Sequence, residues 1–429
     1  MTASDDSDKI VPTRRDALGA MLGAFGLTAL GPIGRAHAAS PFGARVGMPT
    51  PAPGSQKFLV VVELNGGNDG LNMVVPQGLS NYATIRPSLA LSSSETEALD
   101  SGPFATSDFR LHGRMTRLAQ MYRDGEVGVV NRVGYPRANG SHDTSKAIWA
   151  TGQRDGLIGA SGWIARYADL EAPSTLGAVA VRRGRHRSLT GGRSNPLTLN
   201  SLSSFRFDND GSFSANHRRR LTLIREMLEA RGQGASRDAL LTGHALADQI
   251  EAAVSGYTST ATYGSASIST SMRDIAMMLQ AGFDTRVFYT GFSGFDTHAS
   301  QGRATGRHAD LLEDLDEALK GFADDMKAMG IWQNCVVAVV SEFGRRNFEN
   351  GSGGTDHGGA NCVLLTGGAV RPGLHGVAPS NADLDERFLP YAVDFRALYQ
   401  NMLAQHLGMQ DAAQVFAETF ESPTAVSVI

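Results

Sequence analysis

The sequence predicts an α/β protein in which a mostly parallel β-sheet is flanked by helices and an inserted cap region interrupts the core. Its strands are predicted from short, unbroken apolar runs, which are typical of strands buried on both faces of a sheet. Five such runs lie at residues 58–62, 127–133, 287–289, 336–340 and 363–365. Segments with helical periodicity separate them, and this alternation is the pattern of βαβ units.

The helices are predicted from apolar residues that recur every three or four positions. The clearest helix is expected over residues 308–329. Others are expected to stop at Gly125, to begin with a Ser271/Asp274 capping pattern, and to span residues 394–408.

Residues 150–270 differ from the rest of the chain. They hold several basic stretches and a Ser/Thr/Gly tract, "SGYTSTATYGSASISTS", that lacks the pattern of a packed core. We predict that this interval is a cap or lid inserted into the domain. Its arginines are expected to form either a solvated face or an anion-attracting rim; they are Arg182, Arg183, Arg185, Arg187 and Arg218–Arg220.

The N-terminus has the features of an export signal. Arg14 and Arg15 precede an apolar stretch of about 14 residues, which is shorter than the roughly 20 that a membrane-spanning helix needs. A small-x-small ending follows at Ala36-His37-Ala38. The alternative is an amphipathic surface helix. We predict a twin-arginine signal peptide at residues 1–38, a tether at 39–56 and an α/β domain at 57–429.

This signal predicts a periplasmic or secreted protein that engages the twin-arginine translocation machinery and is not an integral membrane protein. The net charge of −4 gives no indication of nucleic-acid binding. Cys335 and Cys362 each begin an apolar run, so we favour buried thiols over a disulfide, although the exported location permits one.

Polar side chains that could bind a metal or take part in catalysis cluster around the ends of the predicted strands. Ligands of open α/β sheets bind outside the carboxyl ends of the strands. The residues that follow or precede the five runs are therefore the site candidates: Asn65, Asp69, Ser141, His142, Asp296, His298, Glu342, Arg345, Asp356 and His357.

Each of these residues also has a structural interpretation. Asn65 and Asp69 are often turn residues at such positions. Glu342 ends a buried strand and needs a partner, for which Arg345 is available. Ser141 and His142 begin a predicted helix, where they are expected either to act as a helix cap or to present a nucleophile and a general acid or base beside the positive helix end.

The candidate ligands indicate a divalent metal. Asp296 and His298 are two residues apart, so both side chains point the same way on an extended loop. Carboxylate and imidazole groups together favour zinc or manganese over calcium. We expect one or two ions, with His357 completing the ligand set.

Five motifs in order resemble a bacterial family of twin-arginine-exported proteins that is known only as a domain of unknown function. They are "NGGNDGLN", "SHDTSKAIWATG", "GFDTH", "SEFGRR" and "GTDHGGAN". The core also resembles the alkaline phosphatase superfamily, which includes sulfatases, phosphodiesterases and cofactor-independent phosphoglycerate mutases.

The superfamily resemblance implies a nucleophile at Ser141 and a metal-binding histidine at His298, with His357 as the last ligand. It also implies an Asp at the end of the first strand and an Asp-His pair after the fourth. This chain has Asn65 and Glu342-Phe343 at those places, and Gly294 where the resemblance implies an Asp four residues before His298. Glu342 is expected to keep one metal ligand in kind, while Asp69, Asp296 and Asp356 are expected to act as replacement ligands. The sulfatase motif Cys/Ser-x-Pro-x-Arg is not present in the sequence, which argues against a formylglycine mechanism.

Three hypotheses about function follow. The first is a metal-dependent hydrolase of phosphate, phosphodiester or sulfate esters, with Arg345 or the cap arginines binding the anionic substrate. The second is a non-catalytic protein that keeps the fold for binding or assembly at the cell envelope. The third is a metal-dependent esterase or amidase that uses the same edge.

Overall fold

The computed structural model describes residues 56–429 apart from 156, 173–175, 182–183, 195, 204–213, 231–233 and 417–418. The predicted signal peptide, residues 1–38, and the predicted tether up to residue 55 lie outside the described residues. Among the described helices, none combines the length and the apolar character needed to cross a membrane.

Twelve strands are formed by the described residues. They are β1 (Phe58–Asn65), β2 (Val74–Val75), β3 (Thr96–Leu99), β4 (Thr106–His112), β5 (Val127–Gly134), β6 (Ala178–Val181), β7 (Leu197–Leu199), β8 (Val287–Ser293), β9 (Cys335–Val340), β10 (Asn361–Thr366), β11 (Gly373–Gly376) and β12 (Val393–Asp394).

The α-helices in the same part of the chain vary from one turn to six. They are α1 (Gly70–Met73), α2 (Ser80–Ile85), α3 (Thr116–Arg123), α4 (His142–Thr151), α5 (Trp163–Glu171), α6 (Ser214–Glu229), α7 (Ala235–Gly256), α8 (Ser267–Gln280), α9 (Arg307–Ala328), α10 (Asn381–Asp385) and α11 (Phe395–Asn401).

The main sheet confirms the predicted α/β architecture. Its described strands run in the order β11-β5-β10-β9-β1-β8-β6-β7, with β12 paired to β5. Strand β1 lies at the centre and pairs in parallel with both β8 and β9, so that Leu59 lies opposite Val287 on one side and Val336 on the other. All five predicted strands are present in this sheet.

Helices cover both faces of the sheet, which explains the unbroken apolar runs. Val60 and Val62 pack into one core with α3, α8 and α9, whereas Leu59 and Val61 pack into a second core with α4, α5 and α11. Because alternate side chains of β1 enter different cores, the strand has no polar face.

Strand β10 is the exception to the parallel arrangement. It runs antiparallel to β9 and to β5. The start of β10 therefore lies at the same edge as the ends of β1, β8, β9 and β5. For this reason the loop that precedes β10 meets the loops that follow the other four strands.

Part of the interval 150–270 belongs to the core rather than to a cap. Strands β6 and β7 lie within it and extend the main sheet beyond β8. Both are short and lie between Gly-rich and basic segments, so their apolar runs do not stand out in the sequence. The cap stays a prediction for the remainder of the interval, including α6 and α7.

Two other local predictions differ in outcome. The long helix is confirmed as α9, and its buried face includes Leu312, Leu315 and Phe322. The Ser271/Asp274 capping pattern is wrong, because α8 already begins at Ser267. Asp274 instead accepts a hydrogen bond from the backbone N–H of Leu202 at 3.0 Å, inside the protein.

The two cysteines are buried free thiols, in agreement with the favoured interpretation.

Candidate metal centre

The glycine-rich loop before β10 is held as a narrow ribbon against the segment after β9. Gly344 N–H donates to the Gly359 carbonyl and Gly358 N–H donates to the Gly344 carbonyl, both at 2.8 Å. Arg345 and His357 form an antiparallel bridge. A Cβ on Gly358 would lie 2.2 Å from the Arg345 backbone, so only glycine fits there. This ribbon places His357 at the edge of the sheet.

Three histidines meet at this edge, and each is held through its Nδ1 atom. The acceptors are two carboxylates and a backbone carbonyl: His142 Nδ1 lies 2.9 Å from Glu342 Oε1, His298 Nδ1 lies 3.3 Å from Asp356 Oδ1, and His357 Nδ1 lies 2.7 Å from the Gly140 carbonyl. Because these acceptors require a proton on Nδ1, each neutral ring keeps its Nε2 lone pair free.

The three Nε2 atoms converge on Asp296. Its Oδ1 lies 3.1 Å from His298 Nε2 and 3.2 Å from His357 Nε2, and its Oδ2 lies 3.5 Å from His142 Nε2. The Nε2 atoms of His298 and His357 are 2.8 Å apart. We call these four residues the imidazole–carboxylate cluster. Adjacent ligands of one zinc ion, bonded at about 2.0–2.2 Å, lie at comparable separations of about 3 Å.

The protonation states of the cluster suit a metal. Burial raises the pKa of Asp296, but the hydrogen bond from Arg345 and the positive charge of its guanidinium outweigh it and bring the pKa to about 2. Burial lowers the pKa of His357 below its ordinary value. A carboxylate and a neutral imidazole are the forms that bind divalent ions. The acceptors bonded to Nδ1 fix the orientation of each ring, as such acceptors do for histidines that bind metals. The set of imidazole and carboxylate groups fits zinc or manganese.

Arg345 does not lie open to substrate. Its side chain is buried and donates to the carbonyls of Gly66, Gly67 and Thr355, and to Asp296 Oδ1 at 2.6 Å. The structure therefore makes Arg345 a positioning residue that fixes the loop after β1 and the Asp296 carboxylate. The predicted anion-binding role is wrong for this residue, because all these contacts are internal.

Glu342 supports the cluster from below. It is almost fully buried, and its Oε1 accepts from His142 Nδ1 and from Gly66 N–H at 2.8 Å. Lys146 Nζ lies 3.6 Å from the same oxygen. The expected Glu342–Arg345 salt bridge does not form among the described contacts, because Arg345 pairs with Asp296 and Glu342 with these donors.

Phe343 packs beside two members of the cluster. Its ring centroid lies 5.0 Å from that of His142 and 4.7 Å from that of His357. It also limits the loop after β1, because a Cβ on Gly67 would lie 2.3 Å from the Phe343 ring. Phe343 thus places an apolar ring, and not a metal ligand, beside His142 and His357.

Two predicted ligands make no side-chain contact with the cluster among the hydrogen bonds and ion pairs of the described residues. Asn65 Nδ2 donates to the Glu63 carbonyl at 3.3 Å, as a residue ending a strand would. Asp69 is buried and accepts from Arg86 at 2.6 Å and from Gln301 at 2.7 Å. Burial raises the pKa of Asp69, but the Arg86 charge outweighs it and the net shift is downward. Asp69 is thus an internal ion-pair partner through Oδ2, and these contacts do not support its prediction as a metal ligand.

Ser141 is exposed and directly precedes the cluster residue His142. It occupies the N-cap position of α4, yet no described backbone N–H is capped by its hydroxyl. The hydroxyl is thus left at the start of a helix whose first N–H groups favour an anion.

The structure describes only some of the arginines that are predicted to lie in the cap. Arg182 and Arg183 lie outside the described residues, as do the side chains of Arg218 and Arg220. Arg187 donates to the Leu157 carbonyl and is used locally.

The roles of two residues could not be assigned from the sequence alone. From the sequence, His142 is expected either to belong to a helix cap or to act as a general acid or base. In the structure its Nδ1 is held by Glu342 and its Nε2 faces Asp296. Lys146 was not singled out. Its position four residues after His142 in a predicted helix was the available signal, since such residues share one helix face.

Comparisons with known proteins give a family and several distant structural likenesses. A search of curated proteins finds no match. Among solved structures, the PsFucS1 sulfatase from Pseudoalteromonas sp. is 8% identical at a TM-score of 0.34, and the alignment covers 77% of this chain and 66% of that one. The C-terminal periplasmic domain of EcEptC from Escherichia coli is 8% identical at a TM-score of 0.37, covering 88% of this chain and 93% of that one.

A protein in the alkaline phosphatase superfamily from Vibrio parahaemolyticus is 12% identical at a TM-score of 0.35, covering 78% of this chain and 66% of that one. Residues 56–425 match the family described as "Protein of unknown function (DUF1501)". Because this match covers most of the sequence, the chain belongs to the DUF1501 family.

Proposed function

We propose that this chain is an exported, metal-dependent hydrolase of phosphate, phosphodiester or sulfate esters. The observation that carries the proposal is the imidazole–carboxylate cluster, in which three histidines are fixed through Nδ1 and present Nε2 to Asp296. Unprotonated acceptor atoms held this close repel one another, and a divalent ion bound among them would remove that repulsion.

The ion would be held by the four cluster residues, His142, Asp296, His298 and His357. Zinc and manganese are the two ions to test. A divalent ion there would act as a Lewis acid toward the ester group. Glu342 and Asp356 orient their histidines through Nδ1, and Arg345 fixes the Asp296 carboxylate.

Ser141 is the nucleophile in this proposal. Its Oγ forms a bond to phosphorus or sulfur while the bond to the alcohol oxygen breaks, and the serine proton leaves with the alcohol. Water then hydrolyses the ester formed on Ser141 and restores the hydroxyl. The first N–H groups of α4 stabilise the negative charge that develops during both steps.

Metal analysis and an ester panel test the proposal together. Protein exported by its native route is expected to contain zinc or manganese and to hydrolyse at least one member of a panel of aryl phosphates, phosphodiesters and aryl sulfates. Ser141→Ala should lose turnover and keep its metal, whereas Ser107→Ala, an exposed serine on β4, should keep both. Metal-loaded protein that turns over no ester would exclude the hydrolase.

The second candidate is a non-catalytic protein that serves in binding or assembly at the cell envelope. Phe343 favours it, because an apolar ring and not a further metal ligand packs against His142 and His357. The ester panel separates the two candidates, since a binding protein would carry metal without turnover.

Export to the periplasm or beyond is part of the proposal and rests on Arg14, Arg15 and the ending at Ala38. Replacing both arginines by lysine should retain the protein in the cytoplasm with residues 1–38 attached. Equal export of this variant and the parent, measured by cell fractionation, would exclude the twin-arginine route.

A further inference from the structure

We infer that the centre holds one metal ion and that Lys146 supplies the second positive charge that faces the ester anion. This inference rests on the proposed function. Hydrolases with two ions use the pair to neutralise both the attacking and the leaving oxygen of the ester. The first question is therefore whether a second ion has ligands available here.

Glu342 is not available to a second ion. Its Oε1 accepts from Gly66 N–H at 2.8 Å and from His142 Nδ1 at 2.9 Å, and Lys146 Nζ lies 3.6 Å away. Its Oε2 lies 3.2 Å from the hydroxyl of Ser341. Oε1 is thus committed to two protein donors, and the one Ser341 proton is shared between Oε2 and the Leu64 carbonyl, which lies 2.7 Å from the hydroxyl oxygen. The Glu342 side chain is also fully buried.

Asp356 is committed in the same way. Its Oδ1 accepts from Asn350 Nδ2 at 3.0 Å and from His298 Nδ1 at 3.3 Å, and its Oδ2 pairs with Arg346 Nη1 at 2.8 Å. Of the three carboxylates that contact the cluster histidines, Glu342, Asp356 and Asp296, this leaves Asp296 as the one that faces their Nε2 atoms. One carboxylate and three imidazoles suffice for one ion.

Lys146 lies beside the cluster, with its Nζ 3.6 Å from the Glu342 oxygen that holds His142. It follows His142 by one turn of α4, so both side chains leave the same face of the helix. Its side chain is 34% exposed, whereas the Glu342 carboxylate beside it is fully buried. An ammonium group carries three N–H donors, of which Glu342 occupies at most one. The others remain for a phosphate or sulfate oxygen, which lysine binds as a point charge.

Calorimetry with inorganic phosphate tests the inference without requiring turnover. The fully exported, metal-loaded protein is compared with Lys146→Met, Lys146→Arg and Lys320→Met. Lys320 is the matched control, because its side chain is 35% exposed and also pairs with a carboxylate, that of Asp324. Metal content is measured on each sample by mass spectrometry.

We expect one equivalent of metal in all four proteins. Phosphate affinity should fall by about 10-fold or more in Lys146→Met, as for loss of one charged hydrogen bond, and should be largely restored in Lys146→Arg and unchanged in Lys320→Met. Two equivalents of metal in the parent, or equal phosphate affinity in the parent and Lys146→Met, would overturn the inference. Neither result depends on the ester panel, so failure of the proposed hydrolase is distinguishable from failure of this inference.

Discussion

His142 takes its role from the side chains on either side of its ring. Glu342 holds Nδ1 at 2.9 Å, and Nε2 is directed toward Asp296 at 3.5 Å. A histidine beside an exposed serine is also what a general acid or base would look like in sequence. Only the three-dimensional position of Glu342, 200 residues away in the chain, decides between these roles.

The sequence predicted three of the four cluster members as ligands, because Asp296, His298 and His357 lie near strand ends. Asp69 satisfied the same criterion, yet its carboxylate turns inward to Arg86. Arg86 lies in a segment with no distinguishing motif, so the sequence contained no sign of this ion pair. A position at a strand end therefore predicts which residues lie nearby, but it does not predict the direction in which a side chain points.

Replacing Asp69 should damage stability and leave the metal in place. Asp69→Asn removes the charge opposite Arg86, both side chains being almost fully buried. Loss of one partner of a buried pair costs about 3–5 kcal/mol. We expect urea unfolding to show a free energy of unfolding lower by that amount, with unchanged metal content in the folded protein.

Asp324→Asn is the control for Asp69→Asn. It breaks the exposed pair with Lys320, and such pairs contribute about 1 kcal/mol or less. Loss of metal from folded Asp69→Asn would show that Asp69 is a ligand after all.

Among the strands, helices and loops, those with strong patterns were predictable. The five apolar runs became strands of the main sheet, and α9 was recognised from its periodic apolar face. Strands β6 and β7 were missed because four and three residues are too few to show a pattern. The start of α8 was misplaced because Ser271 and Asp274 match a cap but lie inside the helix.

The loop after β1 must pass very close to the loop after β8. Gly66 has a φ of +123°, and a Cβ on it would lie 2.3 Å from the Asp296 backbone nitrogen. Gly66→Ala is therefore expected to displace Asp296, lowering both the free energy of unfolding and the affinity for zinc. Zinc titration of the metal-free protein and urea unfolding measure the two effects.

Gly367→Ala separates these effects. Gly367 has a φ of +132°, and its Cβ would lie 2.1 Å from the Cys335 carbonyl oxygen at the start of β9. This variant shares the backbone strain but lies at the opposite end of that strand from the cluster. It should lose stability, by about 1–3 kcal/mol or more, and bind zinc normally. Equal zinc affinities in the two variants would contradict the role assigned to the Gly66 loop.

At the scale of the whole molecule, the directions of the strands bring the candidate site residues to one edge of the sheet. Apolar runs indicated buried strands but contain no information about direction within the sheet. The antiparallel β10 is what brings a residue before a strand, His357, next to residues that follow other strands. The sequence therefore supported a shared edge, and the topology supplies its physical cause.

Two buried histidines that are not members of the cluster should make the fold sensitive to acid. Burial lowers the pKa of His308 to about 4 and that of His406 to about 4. Below their ordinary pKa of about 6.5, both histidines take up protons in the unfolded chain but not in the folded one. Stability is therefore present above this pH and is lost as the pH falls toward 4.

Between about pH 7.5 and pH 5, each histidine should lower the free energy of unfolding by about 2 kcal/mol. Urea unfolding at the two pH values is expected to show this loss, which should shrink by about 4 kcal/mol when His308→Gln and His406→Gln are combined. An unchanged pH dependence in the double variant would show that these side chains protonate in the folded protein.

Anomalous X-ray diffraction at the absorption edge of the bound metal tests the central claim most directly. Crystals of the natively exported protein should show one peak, within about 2.3 Å of the Nε2 atoms of His142, His298 and His357 and of an Asp296 oxygen. A peak beside Asn65 or Asp69 instead, or no peak at this cluster in protein saturated with zinc or manganese, would contradict the account.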